Sequence, residues 1–231
     1  MKPVRSPAAR PPAGIPRWLD AGFACTLLIL VGPLLAVLAL GVRLSSAGPV
    51  LFRQERVGRG GRLFVMLKFR SMRVERRGPE ITAAGDERIT GFGRFLRATK
   101  LDELPELWNV VRGEMALVGP RPEVPTYVDP DDPAWREVLQ SRPGVTDPVT
   151  TALRWEEELL GTVDGDREAF YRSVLLPHKL EGYRSYLRRR TFRSDVGVLW
   201  TTLVAVCLPR RVGSPALDRA EIERGRGRRT E

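Results

Sequence analysis

The chain has 231 residues, with 38 Lys and Arg against 28 Asp and Glu, a formal net charge of +10. An apolar fraction of 42% supports a folded core and excludes wholesale disorder. Two cysteines, Cys25 and Cys207, and the single His178 exclude a disulfide framework and a Cys/His zinc site, and leave carboxylates and basic groups to carry any catalysis. The excess of positive charge points to an anionic partner: nucleic acid, a lipid surface or a phosphorylated small molecule.

Residues 1–16 are proline-rich and basic and read as a flexible lead-in. From Ala21 to Val42 run 22 residues without a charge. As a helix they reach roughly 33 Å, enough for a bilayer core. Ser45-Ser46-Ala47 resembles a signal-peptidase site, but the apolar region of a signal peptide is only ~7–15 residues long. Gly32-Pro33 lies near the middle of the run, and proline kinks or breaks a helix. Lys2, Arg5, Arg10 and Arg17 precede the run, and Arg43, Arg53, Arg56, Arg59 and Arg62 follow it. Basic flanks prefer the cytoplasmic side. A helix over 17–45 that enters the bilayer, breaks at Gly32-Pro33 and returns satisfies both flanks.

Val50–Val57 and Arg62–Met72 flank Gly58-Arg59-Gly60-Gly61 and predict a β-hairpin. The glycine-rich loop is read as a turn rather than a phosphate cradle. Residues 73–88 read as a surface loop. Ile89, Phe92, Phe95 and Leu96 recur at helical spacing, and Leu104–Val111 predicts a short helix stopped by Gly113. Pro105 belongs to its first turn, which puts Asp102 and Glu103 at its N-terminal end. Prolines from Pro120 to Pro148 imply an irregular connection, and a helix is expected around Thr151–Leu160. Phe170–Arg190 reads as a surface-lying amphipathic helix. Val196–Leu208 is too short to span and is placed in the core or at the interface. The Arg/Gly-rich tail, 209–231, reads as disordered.

The chemistry concentrates around Asp102 and Glu103, with Arg97 and Lys100 just upstream. A helix start and nearby cations favour an ionised carboxylate, so Asp102 is expected to be ionised in a site that a phosphate can share. These features fit a carboxylate nucleophile acting on phosphorus, and equally a helix-capping acid.

The same stretch carries a resemblance. The proline-broken apolar run is followed by Gly48-Pro49-Val-Leu-Phe52-Arg-Gln54-Glu-Arg56-Val-Gly58 and by Lys68-Phe69-Arg70-Ser71-Met72. Leu101-Asp102-Glu103-Leu104-Pro105, Asn109-Val110 and Gly113-Glu114-Met115 come next. Val118-Gly119-Pro120-Arg121-Pro122 and Arg142-Pro143-Gly144-Val145-Thr146 close the string. In this order, from about Arg17 to Leu208, the chain resembles the bacterial sugar transferases, small monotopic phosphoglycosyl transferases.

The resemblance implies an α+β, helix-rich monotopic membrane protein with a re-entrant helix, a β-hairpin and interfacial amphipathic helices. It implies a catalytic domain over 46–208 at the cytoplasmic face of the inner membrane, in what looks like the minimal catalytic form. The implied reaction moves a sugar 1-phosphate from a nucleotide-diphosphate sugar to polyprenol phosphate, through a covalent phosphosugar-enzyme, and starts a surface polysaccharide or glycoconjugate. Asp102 matches the family's nucleophile and Glu103 its partner; Mg²⁺ is the implied cofactor, with Asp102 as a ligand. Arg97, Arg121 and Lys68 are the implied phosphate or nucleotide contacts. Asn109 and Glu114 are assigned to the fold, His178 to the surface, and Trp108 and Trp200 to core or interface. Two departures stand out: Gly32-Pro33 where Ser-Pro is frequent, and Thr146-Asp147-Pro148 leading to Glu156-Glu157-Glu158 where many members carry Gly-Trp-Ala-Gln-Val. A membrane-tethered nucleic-acid binder is the alternative; it lacks the aromatic residues interleaved with basic ones that stacking requires, so no nucleic-acid partner is expected.

Overall fold

The computed structural model describes residues 14–74, 86–153, 156–163 and 165–207. The first thirteen residues of the lead-in, most of the 73–88 loop and the tail from 209 lie outside the described residues. Helices dominate, and the strands form two small two-stranded sheets, as expected of a helix-rich α+β protein.

The apolar run forms two helices, α1 (Arg17–Leu30) and α2 (Gly32–Ser45), bent by 65°. The break falls where the sequence puts it: Val31 leaves helical geometry, and Gly32 and Pro33 open α2. Pro33 has no amide hydrogen to give back to α1. Neither helix alone is long and apolar enough to cross a membrane; the bent pair passes that test by length and composition. Trp18, Phe23, Ile29, Leu30, Leu34, Val37, Leu40 and Leu44 are all exposed.

Both free ends of the pair are fastened to the rest of the fold. At the start of α1, Arg17 Nη2 donates to the Val111 carbonyl over 2.6 Å. At the end of α2, the buried Arg70 donates to the carbonyls of Ala47 (2.8 Å), Ser46 (2.7 Å) and Val42 (3.3 Å). A cation on terminal carbonyls satisfies their unpaired acceptors and the negative end of the helix dipole. Gly41 lets α2 meet the next helix closely, since a Cβ there would strike the Phe92 ring.

β1 (Leu51–Val57) and β2 (Leu63–Phe69) form the predicted antiparallel hairpin, with Leu51 opposite Phe69 and Val57 opposite Leu63. α3 (Gly91–Thr99) is capped by the Thr90 side chain, which accepts from Gly93 N at 2.9 Å. It ends at Lys100, whose φ of 57° is left-handed. This reversal delivers a 3-10 turn, Leu101–Glu103, and then α4 (Glu106–Arg112). Gly113, with φ 83°, ends α4 and admits the left-handed turn into β3 (Ala116–Val118).

The proline-rich connection is more ordered than expected. It holds α5 (Pro133–Val138), capped by Asp132, and β4 (Gly144–Thr146), which pairs in parallel with β3. The expected helix at Thr151–Leu160 is two helices, α6 (Pro148–Ala152) and α7 (Glu156–Gly161).

α8 (Arg167–Phe170), a π-helical turn at Tyr171–Leu175 and α9 (Leu176–Arg189) occupy the predicted amphipathic segment. Here the surface-lying reading is corrected. Leu176, Leu180, Tyr183 and Leu187 of α9 are buried in the largest apolar cluster with Trp135, Val138 and Leu139, so this face has no surface left to offer a lipid interface. The exposed apolar face belongs instead to α10 (Phe192–Cys207), through Val196, Trp200 and Leu203. Trp200, at 67% exposure, is no core residue, and Trp108 is half exposed. His178 is exposed as expected.

Candidate active site

The site starts from β2 and α4. Asn109 clamps the two together: its Nδ2 donates to the Val65 carbonyl at 2.7 Å, and its Oδ1 accepts from Leu67 N at 3.1 Å. Asn109 also reaches Glu114 at 2.7 Å, so both hold the fold, as expected. The clamp sets Lys68, the next residue of β2, beside the acids before and at the start of α4.

Asp102 and Glu103 sit in the 3-10 turn, a turn ahead of the seven-residue α4, whose first residue is Glu106. They thus lie on the N-terminal side of the helix, as expected, and the partners that Glu103 engages there are the side-chain cations Lys68 and Arg121. Lys68 Nζ donates to Glu103 Oε1 at 2.9 Å, and Arg121 Nη2 donates to the same oxygen. Burial pushes the Glu103 carboxyl up, but Arg121, Lys68 and Lys100 outweigh it and hold it well below the usual range. Two of the predicted phosphate contacts, Lys68 and Arg121, thus converge on Glu103.

Asp102 is 6% exposed, and its Oδ1 has no hydrogen-bond partner among the described residues. Its pKa is raised by burial first and by the charge of Glu103 second, against Lys68, Lys100 and Arg97. The nearby cations do pull the Asp102 pKa down, as expected, but burial and Glu103 outweigh them and the net shift is upward. A carboxylate lifted in this way is a better nucleophile once ionised.

Arg97 lies near but points elsewhere. Its Nε and Nη2 engage Glu157 of α7, Nε at 3.4 Å, and its Nη1 donates to Ser71 Oγ at 3.3 Å. Asp102, Glu103, Lys68, Arg97 and Arg121 all line one cleft of about 1000 Å³, where basic side chains outnumber acidic ones. Its further wall carries Glu123, Tyr171 and Lys179. Lys179, 4% exposed, pairs with Glu123 at 2.9 Å and donates to Tyr171 Oη at 3.0 Å, while Tyr171 Oη donates to Glu123 at 2.8 Å. This network escapes sequence reading, because Glu123 and Lys179 are far apart in the chain.

Glu106 was also missed. It is fully buried, and neither of its oxygens has a hydrogen-bond partner among the described residues. Burial pushes its pKa up to about 7, against the pull of Lys68. The available signal was its position, one turn after Asp102 and Glu103.

The donor set suits a hard divalent cation: an unpartnered buried carboxylate oxygen on Asp102, beside Glu103, facing a cation-lined cleft that admits phosphate oxygens. Among the described residues no three His, Cys, Asp or Glu side chains converge as a protein-only cage. Mg²⁺ is commonly held by one or two carboxylates plus substrate phosphates, which this arrangement fits.

A family model described as bacterial sugar transferase matches residues 13–209. A UDP-glucose:undecaprenyl-phosphate glucose-1-phosphate transferase of Caulobacter vibrioides is 47% identical over 135 residues, 56% of this chain and 51% of that protein. Its namesake of Xanthomonas campestris is 37% identical over 193 residues, 81% of this chain and 37% of that protein. The exopolysaccharide production protein ExoY of Rhizobium meliloti is 30% identical over 228 residues, 90% of this chain and 92% of that protein. The chain thus spans about half of the first relative, 37% of the second and nearly the whole of the third.

Proposed function

This chain belongs to the bacterial sugar transferase family, and from that premise we propose that it transfers a sugar 1-phosphate from a UDP-sugar to polyprenol phosphate, initiating a surface polysaccharide or glycoconjugate. The observation that carries the reading is Asp102: buried, with a free Oδ1, in a cleft lined by more cations than carboxylates. The relatives' names supply the donor and acceptor classes.

Two displacements at one phosphorus account for the reaction. A carboxylate oxygen of Asp102 attacks the β-phosphorus of the UDP-sugar; the bond to the bridging oxygen breaks and UMP leaves with that electron pair. An oxygen of polyprenol phosphate then attacks the same phosphorus. The bond to Asp102 breaks, its carboxylate is regenerated, and polyprenyl-diphosphate sugar departs. Arg97, Arg121 and Lys68 hold the donor's phosphate oxygens through charge-assisted hydrogen bonds. Glu103, held far below the usual carboxylate range, is a poor base. Its part is to keep Lys68 and Arg121 aimed at the cleft and, with Asp102, to supply oxygens to Mg²⁺. When bound, that ion neutralises charge on the diphosphate.

We place the protein at the inner membrane, with α1 and α2 re-entrant and the cleft on the cytoplasmic face. The support is that Arg17 and Arg70 tie the entry of α1 and the exit of α2 to one body. Exposed Ile29, Leu30, Leu34 and Val37 flank the bend, where they would meet lipid.

The decisive experiment incubates the membrane-embedded protein with undecaprenyl phosphate and a panel of UDP-sugars and measures UMP. Release with one or more sugars, dependent on Asp102, is expected. Failure with every sugar would overturn the reading.

A further inference from the structure

We propose that Glu157 is a carboxylate stand-in for the donor's phosphate: it pairs with Arg97 and yields it to an arriving diphosphate. The inference rests on the reading of the cleft as a nucleotide-sugar site.

α7 presents two adjacent acids that go to different partners. Glu157 takes the Arg97 guanidinium at the end of α3. Glu156 Oε2 lies 3.5 Å from Lys179 Nζ on α9. All four side chains line the cleft, so α7 is strapped across it by one ion pair to α3 and one to α9.

The two straps differ in how readily they exchange. Lys179 is 4% exposed and keeps Glu123 and Tyr171 if Glu156 leaves. Arg97 and Glu157 are 21% and 37% exposed, and Glu157 is the one carboxylate that Arg97 engages among the described residues. Partly exposed pairs are weak and exchange cheaply. Glu103, another cation-bound carboxylate of the cleft, is held by both Lys68 and Arg121 and sits on the turn that carries Asp102. Glu157 sits on a six-residue helix outside that turn.

The chemistry matches as well. A guanidinium offers the same parallel N–H pair to a carboxylate and to two phosphate oxygens. The Nε and Nη2 of Arg97 are spent on Glu157, and Nη1 on Ser71. A diphosphate that recruits Arg97 must first displace that carboxylate, so its apparent affinity is reduced by the fraction of protein in which Arg97 is paired. Binding then frees α7 from α3 and leaves it tethered to α9.

The test is calorimetric titration of inorganic pyrophosphate into the full chain in lipid nanodiscs, with UMP release from UDP-sugars measured in parallel. Glu157→Gln is expected to bind pyrophosphate about 1.5-fold to fivefold more tightly than wild type, the range set by a partly exposed ion pair. Glu157→Ala should show the same gain and guards against an artefact of the glutamine amide. On an Arg97→Gln background, Glu157→Gln should make no difference. Unchanged or weaker binding by both Glu157 variants, or a gain that survives Arg97→Gln, overturns the stand-in while UMP release by wild type leaves the proposed function intact. No UMP from any donor removes the proposed function, and this inference with it.

Discussion

Lys68 Nζ forms an ion pair with Oε1 of the fully buried Glu106 at 3.3 Å. Lys68 also donates to Glu103, at 2.9 Å. One ammonium thus serves two carboxyls, the closer being Glu103. Burial outweighs the pull of Lys68 and lifts the Glu106 pKa to about 7.

Glu106 therefore makes stability depend on pH. Its folded pKa lies above the unfolded value, so its contribution is complete below about pH 4.5 and is lost as pH rises toward 7. A shift of this size corresponds to about 3 kcal/mol. Glu106→Gln removes the ionisation. Thermal unfolding should show the variant more stable than wild type at pH 8, by about 1–3 kcal/mol, with the difference shrinking toward pH 5. An advantage independent of pH would show that the cavity shape, not the charge, governs this position.

Asp102→Asn should abolish transfer and prevent any phosphosugar adduct, since an amide is no nucleophile toward phosphorus. Glu103→Gln should slow turnover while an adduct still forms on Asp102. Intact-protein mass spectrometry with a turned-over donor reads both outcomes. An adduct on Asp102→Asn would move the nucleophile elsewhere.

Arg121→Lys retains the charge and loses the planar fork that serves Glu103. A charge-assisted hydrogen bond is worth roughly 1.5–3 kcal/mol, so kcat/KM should fall by about tenfold to a hundredfold. Steady-state UMP release measures it, and unchanged kinetics would remove Arg121 from the site.

Pro33→Leu restores the missing amide donor and removes the ring clash, together worth about 3 kcal/mol toward a straight helix. Single cysteines at the exposed positions 16 and 59, with Cys25 and Cys207 replaced, report sidedness to a membrane-impermeant thiol reagent. Neither should label from outside whole cells in the otherwise native protein, and Pro33→Leu should expose position 16. External labelling without that change would replace the re-entrant arrangement with a straight span.

Lys179→Met should be strongly destabilising, by about 3–5 kcal/mol, because it leaves Glu123 buried without its nearest cation. Adding Glu123→Leu should recover much of the loss. Denaturant unfolding of both variants checks the pair.

Contiguous residues determined what depends on local chemistry. Gly32-Pro33 predicts the bend because a missing donor acts on its own turn. Two β-leaning runs around Gly58–Gly61 predict the hairpin, and the Asp102-Glu103 pair lies just before Pro105 and the helix that follows it. The tertiary structure decided what depends on distance and burial. Asp102 sits among the cations the sequence supplies, but its pKa rises because the fold removes its water faster than those charges compensate. Lys68 and Arg121 meet on Glu103 because the Asn109 clamp and the segment after β3 bring strand and turn together. The apolar face of α9 turned inward, although an amphipathic helix alone does not say which apolar surface will cover it. Desolvation and Coulomb energies are functions of separation in space, and the residues that set them here, such as Arg97 and Glu157 or Glu123 and Lys179, lie dozens of positions apart in the chain.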